Sequence, residues 1–308
     1  MADQAVRRPP RRPRRVRTLS GVDVLTVALM VAVPTVVVVG LVWGPALATV
    51  LLSFTDWNGI GNLSEINFVG WQNYEDATTN YPPFGPAIRH NVLWLVVFFV
   101  GPTLLGVILA VMLDRELRGS RIYQSIFFMP VVLSLALVGF IWQLIYSRDQ
   151  GLLNEVLGLE GGARIDFFGN PDINLWAVLV AAGWRHTGYI MLLYLAGLKA
   201  VDPALREAAA VDGAGEVRTF LRVIWPVMRP VNIVILVITV IESLRAFDIA
   251  WVINKGRNGL ELISTLVTQN VIGEASRVGF GSALATIMIA ISTVFIVIYL
   301  IQVMREQK

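Results

Sequence analysis

No cysteine occurs among the 308 residues, which excludes disulfides, iron–sulfur clusters and thiolate zinc sites. Only two histidines are present, His90 and His186, too few for an imidazole-rich metal centre, so no metal ligands are assigned. Charge is scarce as well. Asp, Glu, Lys and Arg make up 15% of the chain, against about 25% in an ordinary soluble domain. That is too little to coat a globule with polar surface. No GxxxxGK[ST] stretch occurs, so the chain has no phosphate-cradling loop of that type. A G-x-S-x-G nucleophile elbow is also missing, and Ser134, Ser243 and Ser292 have no histidine at a recognisable spacing. No catalytic residue is therefore assigned.

What is present is oil. The set AVILMFWYC supplies 56% of the residues and the mean hydropathy is +0.66. These values exclude disordered, coiled-coil, collagenous and nucleic-acid-binding classes and leave an all-α polytopic membrane protein. A helical span needs about 20 apolar residues to cross about 30 Å of hydrocarbon. Six stretches qualify: Val24–Leu52, Val92–Leu113, Ile122–Tyr146, Ile173–Leu198, Val231–Ile253 and Gly281–Val303. Pro34, Pro45, Pro102 and Pro130 lie inside them and are expected to kink rather than end them. The first run exceeds the 7–15 residues of a signal core and reads as a retained helix. Three segments follow: a disordered basic arm over residues 1–21, a six-helix domain over 22–304, and a short tail over 305–308.

Lys and Arg set the sidedness. The N-terminal arm carries seven, the loop Asp114–Arg121 three, the segment 199–230 five and the tail two. Six stand on the opposite side, and Arg185 and Arg245 fall within spans. The positive-inside rule places both termini in the cytoplasm, with the arm resting on anionic lipid.

The cytoplasmic segment 199–230 is unexpectedly long. Asp202 can cap a helix with Pro203 in its first turn. Leu205–Val211 is Ala-rich and strongly helix-forming. Asp212-Gly213 breaks that helix, and a second amphipathic stretch runs from Glu216 to Pro226. The run EAAAVDGAGEVRTFLRVIWP resembles the "EAA" loop of permease subunits in binding-protein-dependent ATP-binding-cassette (ABC) importers. Glu207, Ala208, Ala209, Gly213 and Pro226 keep its spacing, while Val223 and Trp225 depart from its Ile and Leu. Asp212, Gly213, Ala214 and Phe220 are similar to the sugar-permease branch. SFTDW (Ser53–Trp57), FVGWQNY (Phe68–Tyr74), AGLKAVDPALREAA and FGSALAT (Phe280–Thr286) resemble the first permease subunit of that branch. Asn254-Lys255-Gly256-Arg257-Asn258 departs from the family's usual Thr-x-Gly-Gly-Pro.

The resemblance implies a coupling helix that seats on a cytoplasmic ATPase. Glu207, Ala208, Ala209, Asp212, Gly213, Ala214 and Phe220 would form it. It also implies a second permease subunit, two ATPase subunits that bind the ATP, an extracytoplasmic solute-binding protein and a sugar substrate. No cofactor is expected in this chain, and no nucleic-acid partner. A structural hairpin on the lipid headgroups is the other reading of the loop.

Charges inside spans call for a partner or an aqueous cavity. Arg185 and His186 lie beyond the middle of the fourth span and Glu242 near the middle of the fifth. Arg245 and Asp248 follow Glu242 at i+3 steps, so the three are expected to share a helix face. Either these groups neutralise one another and fix packing, or they line a solute pathway. Counted from the loop, the solute-binding positions of maltose-type permeases fall on Ala182, Arg185, His186, Tyr189, Thr239, Glu242, Ser243 and Ala246. Arg185, His186, Tyr189, Glu242 and Ser243 are the candidates among them. An anionic solute such as a glycerophosphate compound would suit Arg185. An intramembrane enzyme using His186 with Glu242 or Asp248 is the remote alternative.

Overall fold

The computed structural model describes residues 20–306, apart from 63, 65, 116–118 and 274–275. The basic arm up to residue 19 and the tail residues 307–308 lie outside the described residues. Two compact units are distinguished, residues 1–48 and 49–308.

In the first unit, Ser20 caps α1 (Gly21–Val38) through a reciprocal pair: its Oγ accepts from the Asp23 amide at 3.2 Å, and its own amide donates to Asp23 Oδ2 at 3.0 Å. Pro34 sits inside the helix, and a wide π-turn at Val39–Trp43 follows before α2 (Gly44–Leu52) resumes the rod.

The second unit is almost entirely helical. Its elements are α3 (Gln72–Thr79), α4 (Phe84–Val100), α5 (Pro102–Asp114), α6 (Ser120–Val132), α7 (Leu135–Tyr146), α8 (Leu152–Val156), α9 (Pro171–Ala200) and α10 (Pro203–Val211). Then come α11 (Glu216–Thr219), a π-turn at Phe220–Ile224, α12 (Trp225–Val227), α13 (Arg229–Leu244), α14 (Asp248–Asn254), α15 (Ile263–Val271) and α16 (Val278–Glu306). Among the described residues the only extended pairing is an isolated Thr55–Phe68 bridge.

Among the described residues three helices are long and apolar enough to cross a membrane: Gly21–Leu52, Phe84–Asp114 and Val278–Ile298. Counting each bent pair as one span raises the number to six. The bends go beyond the proline kinks expected from the sequence. Ile122–Tyr146 is a pair of helices meeting at 101°. Pro130 lies in the last turn of α6, and the Ser134 hydroxyl restarts the chain by accepting from the Leu137 amide at 3.2 Å.

The centre of the unit is α9, which packs along α5 and touches α6. Small residues allow this. A Cβ on Gly188 would stand 2.1 Å from the Phe127 carbonyl oxygen, so α6 and α9 approach there only because the side chain is absent. One buried cluster (Trp94, Phe98, Val138, Val178, Leu179, Ile249) surrounds the first half of α9, and a second (Val107, Ala110, Ile190, Tyr194, Met228, Ile235) its second half. The motifs that follow the first span have a structural counterpart. The Asp56 amide donates to the Asn67 carbonyl at 3.1 Å, Val69 to Phe54 at 2.8 Å, and Gly279 to Trp57 at 2.8 Å. SFTDW, FVGWQNY and the start of α16 thus meet in one knot. Asn73 completes it by donating to the Ser53 and Thr55 carbonyls, each at 2.8 Å.

Candidate functional site

The first candidate begins where α9 ends. Asp202 leaves the helix and caps α10, its Oδ1 accepting from the Ala204 amide at 2.9 Å, with Pro203 in the first turn. At the other end Gly213 adopts φ +70°. Its amide reaches the Ala210 carbonyl at 3.0 Å, and the Ala214 amide reaches Ala209 at 2.9 Å. These two bonds form a Schellman closure, and only a residue tolerant of positive φ fits its turn.

Within this element Glu207, Ala208, Asp212 and Gly213 are exposed. Ala209 is buried, and Ala214 and Phe220 are half-buried. The second group therefore holds the element to its own fold, while the first faces outward. Phe220 packs edge-on against Trp225 at 5.8 Å between centroids, and Trp225 stacks on Tyr194 of α9 at 5.9 Å.

Ionic contacts tie α10 to the spans. The Asp114 side chain, at the end of α5, is 7% exposed and takes two cations. Lys199 in the last turn of α9 stands 3.2 Å from one oxygen and Arg206 of α10 2.7 Å from the other. Arg115 pairs with Glu216 at the start of α11. A cleft of about 280 Å³ lies among Asp114, Arg115, Arg206, Ala210, Glu216 and Phe220. Sequence reading missed Asp114, Lys199, Arg115 and Arg206. The only signal was an acid and a base closing the second span, whose partners lie about a hundred residues away in sequence.

The second candidate is the polar interior. Arg185, His186, Glu242 and Arg245 do converge on one small cavity of about 20 Å³, walled by Trp94, Phe98 and Phe247. This volume has room for about one water molecule. Arg185 Nε donates to the Leu133 carbonyl at 3.1 Å, using an acceptor freed by the α6–α7 break. His186 is buried, lies 4.8 Å from the Phe98 ring and contacts Thr239 Oγ1 through Nε2 at 3.3 Å. Tyr189 is half-buried, its ring 6.5 Å from His186. Ser243 is fully buried and donates to the Thr239 carbonyl at 2.7 Å. Asn91, another residue missed from sequence, donates to the Ser243 carbonyl at 3.3 Å and accepts from the Ile263 amide at 3.0 Å.

Two expectations are corrected here. Glu242, Arg245 and Asp248 do not share one helix face, because α13 ends at Leu244 and Asp248 opens α14. Nor do they neutralise one another: among the described residues Arg185, Glu242, Arg245 and Asp248 form no ion pair. Among the same residues no group of acids and histidines could hold a metal ion.

Comparison with known proteins places the chain. Residues 103–307 match the family described as binding-protein-dependent transport system inner membrane component. The xylose/arabinose import permease protein XacH of Haloferax volcanii is 31% identical, over 77% of this chain and 75% of that one. The trehalose/maltose transport system permease protein MalF of Thermococcus litoralis is 31% identical, over 64% and 67%. Among solved structures, a chain of a bacterial alginate ABC transporter, in complex with alginate pentasaccharide-bound periplasmic protein, superposes with a TM-score of 0.76. It covers 90% of this chain and 93% of that one at 20% identity.

Proposed function

This chain belongs to the family of binding-protein-dependent transport system inner membrane components, and we propose that it is one permease subunit of an ATP-driven importer for a sugar or oligosaccharide. It pairs with a second permease, two ATPase subunits and an extracytoplasmic solute-binding protein. All six spans cross the membrane and both termini lie in the cytoplasm, with the basic arm over 1–21, the permease domain over 22–304 and the tail over 305–308. The sugar assignment is supported by the relatives named for pentose and disaccharide import.

The observation that carries this reading is α10 itself. It is a short helix closed at both ends, with Glu207, Ala208, Asp212 and Gly213 turned outward. Ala209, Ala214 and Phe220 seat it from within, and Asp114 clamps it to α5 and α9. Such an element behaves as a rigid lever. Closure of an ATPase pair moves it as a body and tilts the helices to which it is bound. Glu207 offers a carboxylate for a basic groove, and Ala208 lets the partner's backbone come close.

Solute passes the polar interior. Arg185, His186, Tyr189 and Glu242 present its polar groups, and Ser243 acts from behind by holding Thr239 against His186. The cavity of about 20 Å³ is then a closed pathway that widens as the helices tilt. Break points flanking it, at Leu133–Ser134 and Arg245–Phe247, supply the hinges.

The test uses the assembled importer in proteoliposomes. Glu207→Ala is expected to lower receptor-stimulated ATP hydrolysis and solute uptake together. Wild-type rates in that variant contradict the coupling assignment.

A further inference from the structure

At the end of α9 remote from α10 lies a second, larger cavity. The loop Lys255–Gly259 packs there against the start of α9: the Asn258 side chain donates to the Gly169 carbonyl at 2.7 Å, and Asn174 donates to the Asn258 carbonyl at 2.9 Å. With 30 residues in α9 at about 1.5 Å each, this end stands about 45 Å from the coupling element. The cavity measures about 680 Å³, within the range of about 300–1,000 Å³ typical of small-molecule sites.

Its walls are cationic and aromatic. Lys255, Arg257 and Arg277 line it together with Trp251 and Tyr81. Arg277 is built in place: its guanidinium lies 4.5 Å over the Phe280 ring and donates to Asn270 Oδ1 at 2.6 Å. Asn270 is 2% exposed and in turn donates to the Tyr81 hydroxyl at 3.0 Å. Lys255 is held at φ +57° while Gln269 donates to its carbonyl at 2.7 Å. Lys255 and Arg257 are exposed, and among the described residues they have no ion pair. No carboxylate lines the cavity among the described residues.

A path leads inward. Trp251 stacks on Phe247 with centroids 5.4 Å apart, and Phe247 walls the inner cavity that holds Arg185 and Arg245. Cations therefore stand at the outer cup and again at the inner one, joined by an aromatic pair.

Building on the import reading above, we infer that the outer cup is a loading site for a saccharide bearing carboxylate groups. The aromatic face of Trp251 takes a pyranose ring, Lys255 and Arg257 take carboxylates as mobile charges, and Arg277 takes one in fixed geometry. The departure of this loop from the family's glycine-rich pattern places the two free cations at the mouth.

The test is a binding titration on the assembled importer in nanodiscs, with trigalacturonate and maltotriose as probes. The wild type is expected to bind the acidic trisaccharide about tenfold more tightly at low ionic strength, with the preference shrinking in high salt. Lys255→Gln with Arg257→Gln brings the two affinities together, and Lys255→Arg with Arg257→Lys restores the difference. Equal wild-type affinities overturn the inference, as does a preference that survives the double Gln change. A double Gln variant that loses capture of the ligand-free receptor, while its trisaccharide preference is intact, assigns the cations to receptor docking and also overturns it. Receptor-stimulated ATP hydrolysis is read in the same preparation: hydrolysis without the acidic preference leaves the import reading standing and removes only this one.

Discussion

Asp114 ties α10 to the ends of α5 and α9, although it lies outside the motif that marks α10. One nearly buried carboxylate forms ion pairs with a lysine of α9 and an arginine of α10. Replacing it with Asn keeps the shape and removes the charge that both cations pair with, each partly exposed pair being worth up to about 1 kcal/mol. Asp114→Asn is therefore expected to leave ATP hydrolysis in the assembled importer nearer to wild type than solute uptake, because the lever is loosened from the spans but still reaches the ATPase. Hydrolysis and uptake falling in equal proportion count against the clamp. Gly213 makes a separate point. No neighbour lies within 4 Å of where its Cβ would stand, yet φ is +70°. Gly213→Ala thus costs about 1–2 kcal/mol through backbone strain alone, and Gly213→Asn less, since Asn tolerates that region. Melting temperatures of the two variants, with Ala below Asn below wild type, check the order.

At the scale of elements, the sequence was most readable where a local rule suffices. Asp202, Pro203 and Gly213 carry their helix boundaries in their own chemistry, and the structure has α10 between them. Breaks inside apolar runs were only partly legible. Ile122–Tyr146 carries no charge and reads as one span; Pro130 marked a kink there, but nothing in the local pattern gave the 101° size of the bend. The end of α13 at Leu244 was equally silent, because Glu242, Arg245 and Asp248 fit helical spacing whether or not the helix continues. Partners distant in sequence, such as Asp114 with Arg206 or Asn91 with Ser243, leave no trace in a local pattern. The close approach of α6 to α9 belongs here too. Gly188→Val pushes the Phe127 backbone away, and overpacking of this kind costs about 1–3 kcal/mol. A lowered melting temperature with reduced recovery of the assembled complex is expected, and an unaltered melting temperature contradicts the packing. In the knot between SFTDW and FVGWQNY, hydrogen bonds from the Asn67 side chain and amide hold the Asp56 carboxyl below its usual range. Its contribution is therefore complete above the unfolded value, about 3.9, and fades only as pH falls through the lower folded value. Amide exchange at Val69, bonded across the knot, is expected to be as protected at pH 5 as at pH 7, after correction for intrinsic rates.

The outward face of α10 and the cationic cup stand at opposite ends of α9, about 45 Å apart by helix rise, with the polar interior between them. On the reading proposed above, force delivered at α10 tilts helices to open a path at the far end, and the broken helices and the Asp114 clamp both serve that motion. The most direct measurement exploits the absence of cysteine. Val211, 88% exposed at the end of α10, is changed to Cys in the assembled importer and cross-linked with a short thiol-to-amine reagent. The account predicts a covalent product between this chain and the ATPase subunit, reduced by excess unlabelled ATPase-binding competitor such as the free wild-type α10 loop peptide. A Val211→Cys chain that cross-links only to the permease or to lipid, in a complex that still hydrolyses ATP, contradicts it.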